Sequence, residues 1–200
     1  APGAGAKPWR AFLSATAGED GQPVDAKDRI GFGPWYDRHG RLVATNLTNL
    51  LNERPIGADP AIANDLPNED GVPNHQPDPT QPAVDNHDTL TGSNALGKLF
   101  SATATCKDWT SSAGDIGKPR VGHTWPTAAK GGGIGKPPGG GPGGGPSGGD
   151  GSMSHWMSSL DESGCSPGVN LVEMGPPLKN STTVGSGGGY GGFYCYALVP

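Results

Sequence analysis

The segment TCKDWTSS at residues 105–112 places a cysteine three residues before a tryptophan and follows both with hydroxyl side chains. Cys106 can form a disulfide, and Trp109 can bury a large apolar area beside it. Two cysteines lie downstream, Cys165 and Cys195, and either could be the partner. The pattern therefore predicts a core held by one covalent bridge next to a buried aromatic ring.

Length and composition indicate one domain over residues 1–200 that carries low-complexity segments. Residues 131–151 read GGGIGKPPGGGPGGGPSGGDG and cannot bury enough apolar surface to offset the entropy of ordering them. We interpret this segment as a flexible Gly/Pro-rich insertion, and the alternative is an extended rod packed against a partner. Residues 52–88 are rich in Pro, Asp and Asn, which predicts a long surface loop.

Charge and cysteine content exclude some classes of protein. The net charge is −5 and no stripe of Lys and Arg is visible, so nucleic-acid binding is disfavoured. No apolar run approaches the length of a membrane span. The three cysteines in a loop-rich chain fit an oxidising compartment, so we expect a secreted, extracellular or periplasmic protein. One bridge leaves one sulfur, which is either a free thiol or is bonded outside the chain.

Local patterns place short elements between the loops. Residues 9–14 alternate as a first strand, and residues 193–199 predict the last one. The DRHG sequence at residues 37–40 predicts a hairpin turn, and the leucines of residues 47–51 have helical spacing. Residues 154–159, SHWMSS, predict a further strand.

Nine short blocks occur in one order along the chain. They are WRAFLS at 9–14, AKDRIG at 26–31, GPWY at 33–36, LTGS at 90–93, TCKDWTS at 105–111, GH at 122–123, Trp156, GCS at 164–166 and FYCY at 193–196. Together they resemble a family of secreted bacterial domains related to the endostatin domain of collagens XV and XVIII. That domain is a variant of the C-type lectin-like fold, and the similarity runs from about Pro8 to Ala197 outside the Gly-rich segments.

The resemblance implies an α+β fold, namely an endostatin-like, C-type lectin-like twisted antiparallel sheet with long loops and Gly/Pro-rich insertions. In that family the cysteine of the Cys-x-x-Trp block pairs with the penultimate cysteine, here Cys106 with Cys165. The last cysteine, here Cys195, pairs with one on an N-terminal helix ahead of the first strand. That helix is not among these 200 residues, so we expect the partner of Cys195 upstream of them or on another chain.

The densest group of metal-ligand side chains lies near the end of the long loop. It comprises Asp85, His87 and Asp88, with His75 upstream. A calcium or zinc site is one interpretation, and a solvated, turn-forming loop without any cofactor is the plainer one. Gln76-Pro77-Asp78 matches one triplet of sugar-binding C-type lectins, but their Trp-Asn-Asp triplet is absent, so calcium-dependent sugar binding is disfavoured.

Aromatic and catalytic signals point to binding rather than chemistry. We expect four tryptophans, at positions 9, 35, 109 and 156, to lie in the core. Trp125, together with His123, lies at the edge of the Gly/Pro-rich insertion and is the best candidate for an exposed contact. No nucleophile elbow or phosphate loop is visible, so no enzymatic activity is predicted.

These observations predict a secreted, non-catalytic binding or adhesion domain that recognises a protein or a glycan through loops around 52–88 and 113–130. A structural subunit of an extracellular or envelope-associated assembly, in contact with neighbouring subunits, is the alternative. A metal-dependent hydrolase with His75, His87 or His123 as ligands is a remote third.

Overall fold

A computed structural model describes residues 4–64, 66–74, 80–81, 84–124, 155–171 and 181–199. The predicted insertion at 131–151 lies outside these ranges, as do His75 and Trp125. Within the described ranges, no helix combines the length and the apolar character that crossing a bilayer requires.

Short strands and long loops make up the described chain, as the composition predicts. The strands are β1 (Trp9–Ala11), β2 (Trp35–Tyr36), β3 (Leu42–Ala44), β4 (Asp88–Leu90), β5 (Arg120–His123), β6 (Leu160–Asp161), β7 (Gly192–Phe193) and β8 (Cys195–Ala197). Among the described residues, the one right-handed α-helix, α1, spans Leu47–Leu50 after the predicted hairpin turn, and Asn46 caps it by accepting from the Asn49 N–H. Four 3₁₀ turns lie at Ala4–Ala6, Ala26–Asp28, Pro60–Asn64 and Ala102–Thr105. The α+β class is thus confirmed.

The largest sheet has the order β6-β5-β4-β7, and two-stranded ribbons pair β1 with β8 and β2 with β3. The expectation of an antiparallel sheet is wrong at one edge, because β7 runs parallel to β4. This direction carries the chain from β7 straight into β8, where the Tyr194 carbonyl accepts from the Phe12 N–H at 2.9 Å. Residues 192–197 therefore connect the large sheet to the first ribbon.

The apolar core lies between the β1–β8 ribbon and helix α1. Phe12 and Trp35 pack against Tyr196, with ring centroids 6.1 and 5.5 Å apart. Trp156 is 1% exposed and its indole N–H donates to the Leu50 carbonyl at 2.8 Å. The expected burial of Trp35 and Trp156 is confirmed.

Two expectations about aromatic segments are wrong. Trp9 is 43% exposed, because its pairing with Ala197 places it on the outer face of the ribbon. Residues 155–159 form a turn rather than a strand, with a single bridge between His155 and Ser158. Trp156 and Met157 are both buried within this turn.

The segment that carries the predicted disulfide has an unusual backbone conformation. Cys106 is joined to Cys165, as the resemblance implied. The turn Cys106–Trp109 has φ between 49° and 63° at all four of its residues, so it is a left-handed turn without a glycine. Each such residue costs roughly 1–2 kcal/mol, and the surrounding contacts must offset this.

Three contacts besides the disulfide hold the left-handed turn. Asp108 accepts from the backbone N–H of Thr16 at 2.6 Å and from its hydroxyl at 2.5 Å. The Trp109 indole N–H donates to the Ser14 carbonyl at 2.8 Å. The ring of Trp109 also lies against Gly92, where a Cβ would approach it to 2.8 Å. The turn is therefore fixed to the segment that follows β1.

Lys107 offers a direct test of the backbone cost, because its side chain is exposed while its φ is 56°. We expect Lys107→Gly to raise the free energy of unfolding by about 0.5–1 kcal/mol, since relief of the left-handed strain exceeds the added entropy of the unfolded chain. Lys118→Gly, at an exposed position without a positive φ, should lower it instead. Urea unfolding of both variants measures the difference, and a loss of stability in both would contradict the left-handed turn.

Protonation of Asp108 is a specific cause of lost folding stability at low pH. Burial opposes its charge, but the hydrogen bonds from Thr16 and Thr105 outweigh burial and lower the pKa of Asp108 below 3.8. Its contribution is therefore fully present above about pH 3.8 and is lost as the pH falls through the folded-state pKa. We expect Asp108→Asn to destabilise the protein by about 1 kcal/mol or more at pH 7 and to flatten the loss of stability below pH 4. Asp20→Asn, in an exposed turn, should leave the acid limb of the pH titration unchanged.

Candidate functional site

The centre of the large sheet brings together ionisable side chains that are far apart in the sequence. In the antiparallel pairing of β4 with β5, Asp88 lies directly opposite His123, so both side chains are on one face. Asp88 Oδ1 is 2.9 Å from His123 Nδ1 and 3.7 Å from His87 Nε2. The two imidazole rings are 5.0 Å apart between centroids. One ligand atom from each of the three residues lies within 4.8 Å of the others, so the group could hold a metal ion.

This group is buried, which corrects the interpretation of residues 85–88 as a solvated loop. The side chains of His87, Asp88 and His123 are 5%, 1% and 3% exposed. Asp85 is also buried, and its Oδ2 lies 3.4 Å from His87 Nδ1. The cause is that Asp88 begins a central strand of the sheet, so the residues before it enter the interior.

A glycine-rich segment covers the cluster. The N–H groups of His87 and Asp88 donate to the Gly188 carbonyl at 2.9 and 3.1 Å. A Cβ on Gly187 would lie 2.5 Å from Asp88 Oδ2, and one on Gly188 would lie 2.3 Å from His87 Cε1. The backbone of residues 187–189 can therefore contact the cluster only because these residues have no side chains.

The polar atoms of the cluster are incompletely satisfied. Both carboxylate oxygens of Asp88 and Nδ1 of His123 are buried without a hydrogen-bond partner. The 2.9 Å contact between Asp88 Oδ1 and His123 Nδ1 is short, but it lacks the alignment of a hydrogen bond. Buried polar groups are paired in the great majority of folded proteins, so this is an unusual concentration of exceptions.

Glu162 lies beside the cluster and is fully buried. Its Oε2 accepts from the Ser186 hydroxyl at 2.5 Å and from the Gly187 N–H at 2.6 Å. Burial and the neighbouring charge of Asp88 raise the pKa of Glu162 to about 8. At neutral pH the carboxyl group is therefore largely protonated and adds little negative charge to the interior.

The structure only partly reproduces the predicted sites. It brings Asp85, His87 and Asp88 together, as the metal interpretation required. His123, predicted as a surface contact, is instead buried beside them, because β5 pairs with β4 in the middle of the sheet. Glu162 and the glycines at 187–189 were missed. The GSGGGYGG run is a sequence signal for the glycines, and nothing around Glu162 marks that residue.

A second feature lies on the outer face of the β1–β8 ribbon and at the end of β7, which leads into that ribbon. Trp9 and Phe193 are 43% and 51% exposed, and Cys195 is an exposed free thiol opposite Ala11. Partial burial and the charge of Glu69 raise the pKa of the Cys195 thiol. We call these residues, Trp9, Ala11, Phe193, Cys195 and Ala197, the outer face.

A groove of about 380 Å³ adjoins one end of the ribbon. It is formed by residues 28–34 and 197–199. Three of its apolar side chains, Phe32, Leu198 and Val199, are 89%, 37% and 48% exposed. Exposed apolar side chains therefore lie both on the outer face and in this groove, where Asp28 and Arg29 accompany them.

No protein-family model, curated protein or solved structure matches the chain.

The glycine cover of the cluster predicts a sharp difference between two glycines with positive φ. Gly188→Ala should destabilise the protein by about 3 kcal/mol or more, because the methyl group would collide with the His87 ring. Gly40→Ala, at φ 79° with no atom near the added methyl group, should cost only about 1–2 kcal/mol. Thermal unfolding of the two variants measures this ordering, and equal losses would contradict the close packing at residue 188.

Proposed function

We propose that the chain is a secreted, non-catalytic binding domain of the endostatin-like, C-type lectin-like class. Its partner is a polypeptide that packs on the outer face and forms a disulfide with Cys195. The observation that carries this proposal is the exposed thiol of Cys195 set among exposed apolar side chains.

The character of the outer face supports a protein partner rather than a glycan. Trp9 and Phe193 expose large aromatic surfaces, and aromatic residues are enriched where proteins bind one another. Directly paired residues of the two strands, Trp9 with Ala197 and Ala11 with Cys195, make this surface continuous. An apolar segment laid on it would bury both rings and the thiol together.

The chemistry of Cys195 supports a structural bond. A raised pKa leaves less thiolate at neutral pH, which is opposite to the activation that catalytic cysteines need. The other two cysteines are already joined, and a disulfide of this kind is typical of oxidising compartments. An exposed thiol in such a compartment is a natural site for a bond to a second polypeptide.

The interior cluster gives little support to the hydrolase alternative. His87, Asp88 and His123 are each at most 5% exposed at their side chains, and residues 187–189 cover them. A substrate would have to displace this cover before it could reach the imidazoles.

A structural subunit of an extracellular or envelope-associated assembly is the second candidate. Each subunit of an extended assembly needs at least two contact surfaces. The groove beside Phe32 and Leu198, which also contains Asp28 and Arg29, supplies a second surface next to the outer face. In this version the partner bonded to Cys195 is a neighbouring subunit.

Non-reducing peptide mapping by mass spectrometry tests the proposal on protein from its natural source, after free thiols are alkylated. We expect the peptide that contains Cys195 to be joined to a cysteine peptide of another polypeptide, while Cys106 stays joined to Cys165. An alkylated Cys195 would overturn the proposal. A bond to an upstream peptide of the same polypeptide would agree with the endostatin-like resemblance, but it would make the outer face an internal contact and would exclude the binding role.

Two surface variants test whether the partner binds the outer face specifically or any exposed aromatic position. Phe193→Glu should reduce the yield of the Cys195-linked complex by more than about tenfold, because it places a charge where apolar surface is buried. Tyr36→Glu, at a side chain that is 57% exposed on β2, is the matched control and should leave the yield unchanged. Equal yields from both variants would show that the outer face does not bind the partner.

A further inference from the structure

We propose that His87, Asp88 and His123 bind a zinc ion in a buried, structural site. This inference is independent of the outer face and of the function proposed above. It concerns how the three ionisable side chains are stabilised in the interior of the large sheet.

The donor set favours zinc over calcium or magnesium. Two imidazoles and one carboxylate are ligands that zinc accepts in tetrahedral sites, whereas calcium and magnesium prefer oxygen ligands alone. The three ligand atoms already lie within 4.8 Å of one another, so only small side-chain adjustments are needed. They supply three positions of a tetrahedral ion. Three protein ligands and one position for water is a number also found in catalytic zinc sites, so the structural role is inferred from the burial of the three side chains and not from the number of ligands.

The unpaired atoms of Asp88 and His123 are the second, independent observation. Asp88 is 1% exposed at its side chain, yet neither carboxylate oxygen has a hydrogen-bond partner. Among the described residues, its ion pairs are with histidines alone and include no Lys or Arg. A hydrogen bond from the carboxyl group of Glu162 would satisfy one oxygen of Asp88 without neutralising its charge, whereas a divalent cation at this point would compensate that charge.

The geometry of the contact between Asp88 and His123 supports the binding of one metal ion by both side chains. Asp88 Oδ1 and His123 Nδ1 are 2.9 Å apart, and neither forms a hydrogen bond. Two ligands of one ion lie close together in this way, each with its lone pair directed at the ion. A simple carboxylate–imidazole hydrogen bond would instead satisfy both atoms.

The environment of the cluster fits a structural ion rather than a catalytic one. Residues 187–189 close one side, and their glycines allow the backbone to come within contact distance of His87 and Asp88. Asp85 lies behind His87, with Oδ2 3.4 Å from Nδ1, and a small rotation of the ring would let this carboxylate accept from Nδ1 and orient the imidazole towards the ion. The ion would then join β4 to β5 under the glycine segment.

Metal analysis of the purified full chain tests the site. After dialysis against metal-free buffer, we expect about one zinc ion per chain by atomic spectroscopy. Replacement by Co²⁺ should give the visible absorption of a tetrahedral site, and EDTA should lower the melting temperature. Zinc that is lost on dialysis, with a melting temperature insensitive to both zinc and EDTA, would overturn the proposal as an adventitious ion only.

Graded variants then assign the ligands. His123→Ala should weaken zinc binding by more than about 100-fold, because it removes a ligand. Asp85→Asn should weaken it by about 10- to 100-fold, because Asp85 contacts the ligand His87 and not the ion. His39→Ala, at an exposed position in the hairpin turn, is the matched control and should bind zinc like the parent chain. If His123→Ala retains the parent affinity, the assignment is wrong. If that variant does not fold, the Co²⁺ spectrum and the EDTA response of the parent chain decide.

Discussion

The pairing of β4 with β5 sets Asp88 opposite His123, and much of the structure follows from accommodating that pair. A carboxylate at the centre of a sheet is unfavourable unless something compensates its charge. Two histidines lie close to this carboxylate, the neighbouring Glu162 is largely neutral, and glycine backbone covers the group. The cover is followed along the chain by residues 192–197, which run from the large sheet into the β1–β8 ribbon.

The other strained part of the molecule is held in a different way. The left-handed turn at Cys106–Trp109 has an unfavourable backbone conformation at each residue, and its stability depends on contacts with Ser14 and Thr16. The disulfide to Cys165 fixes the same turn to a distant loop. Among the described residues, the buried polar atoms that lack a hydrogen bond and the non-glycine residues with positive φ are thus each concentrated in one place, and each place is restrained by contacts from distant parts of the chain.

One of the two proposals concerns the exposed surface of the molecule, and the other concerns its interior. The outer face offers apolar side chains and a thiol to solvent, which suits association with another polypeptide. The cluster offers ligands that solvent does not reach, which suits an ion that stabilises the fold. A domain with so little regular secondary structure has few other means of making its interior rigid, so a metal and a disulfide would have complementary roles.

The sequence by itself determined the loop-rich α+β character, the hairpin turn and helix before residue 52, and the burial of Trp35 and Trp156. These features depend on local patterns of apolar residues, turn residues and spacing, which act over a few positions. The resemblance to endostatin-like domains added the pairing of Cys106 with Cys165. Only the tertiary structure decided that His123 joins His87 and Asp88, that residues 187–189 cover them, that β7 runs parallel to β4, and that Trp9 faces outwards. The reason is that strand register and direction bring together residues from distant segments, and a one-residue change of register would reverse the face on which each side chain lies.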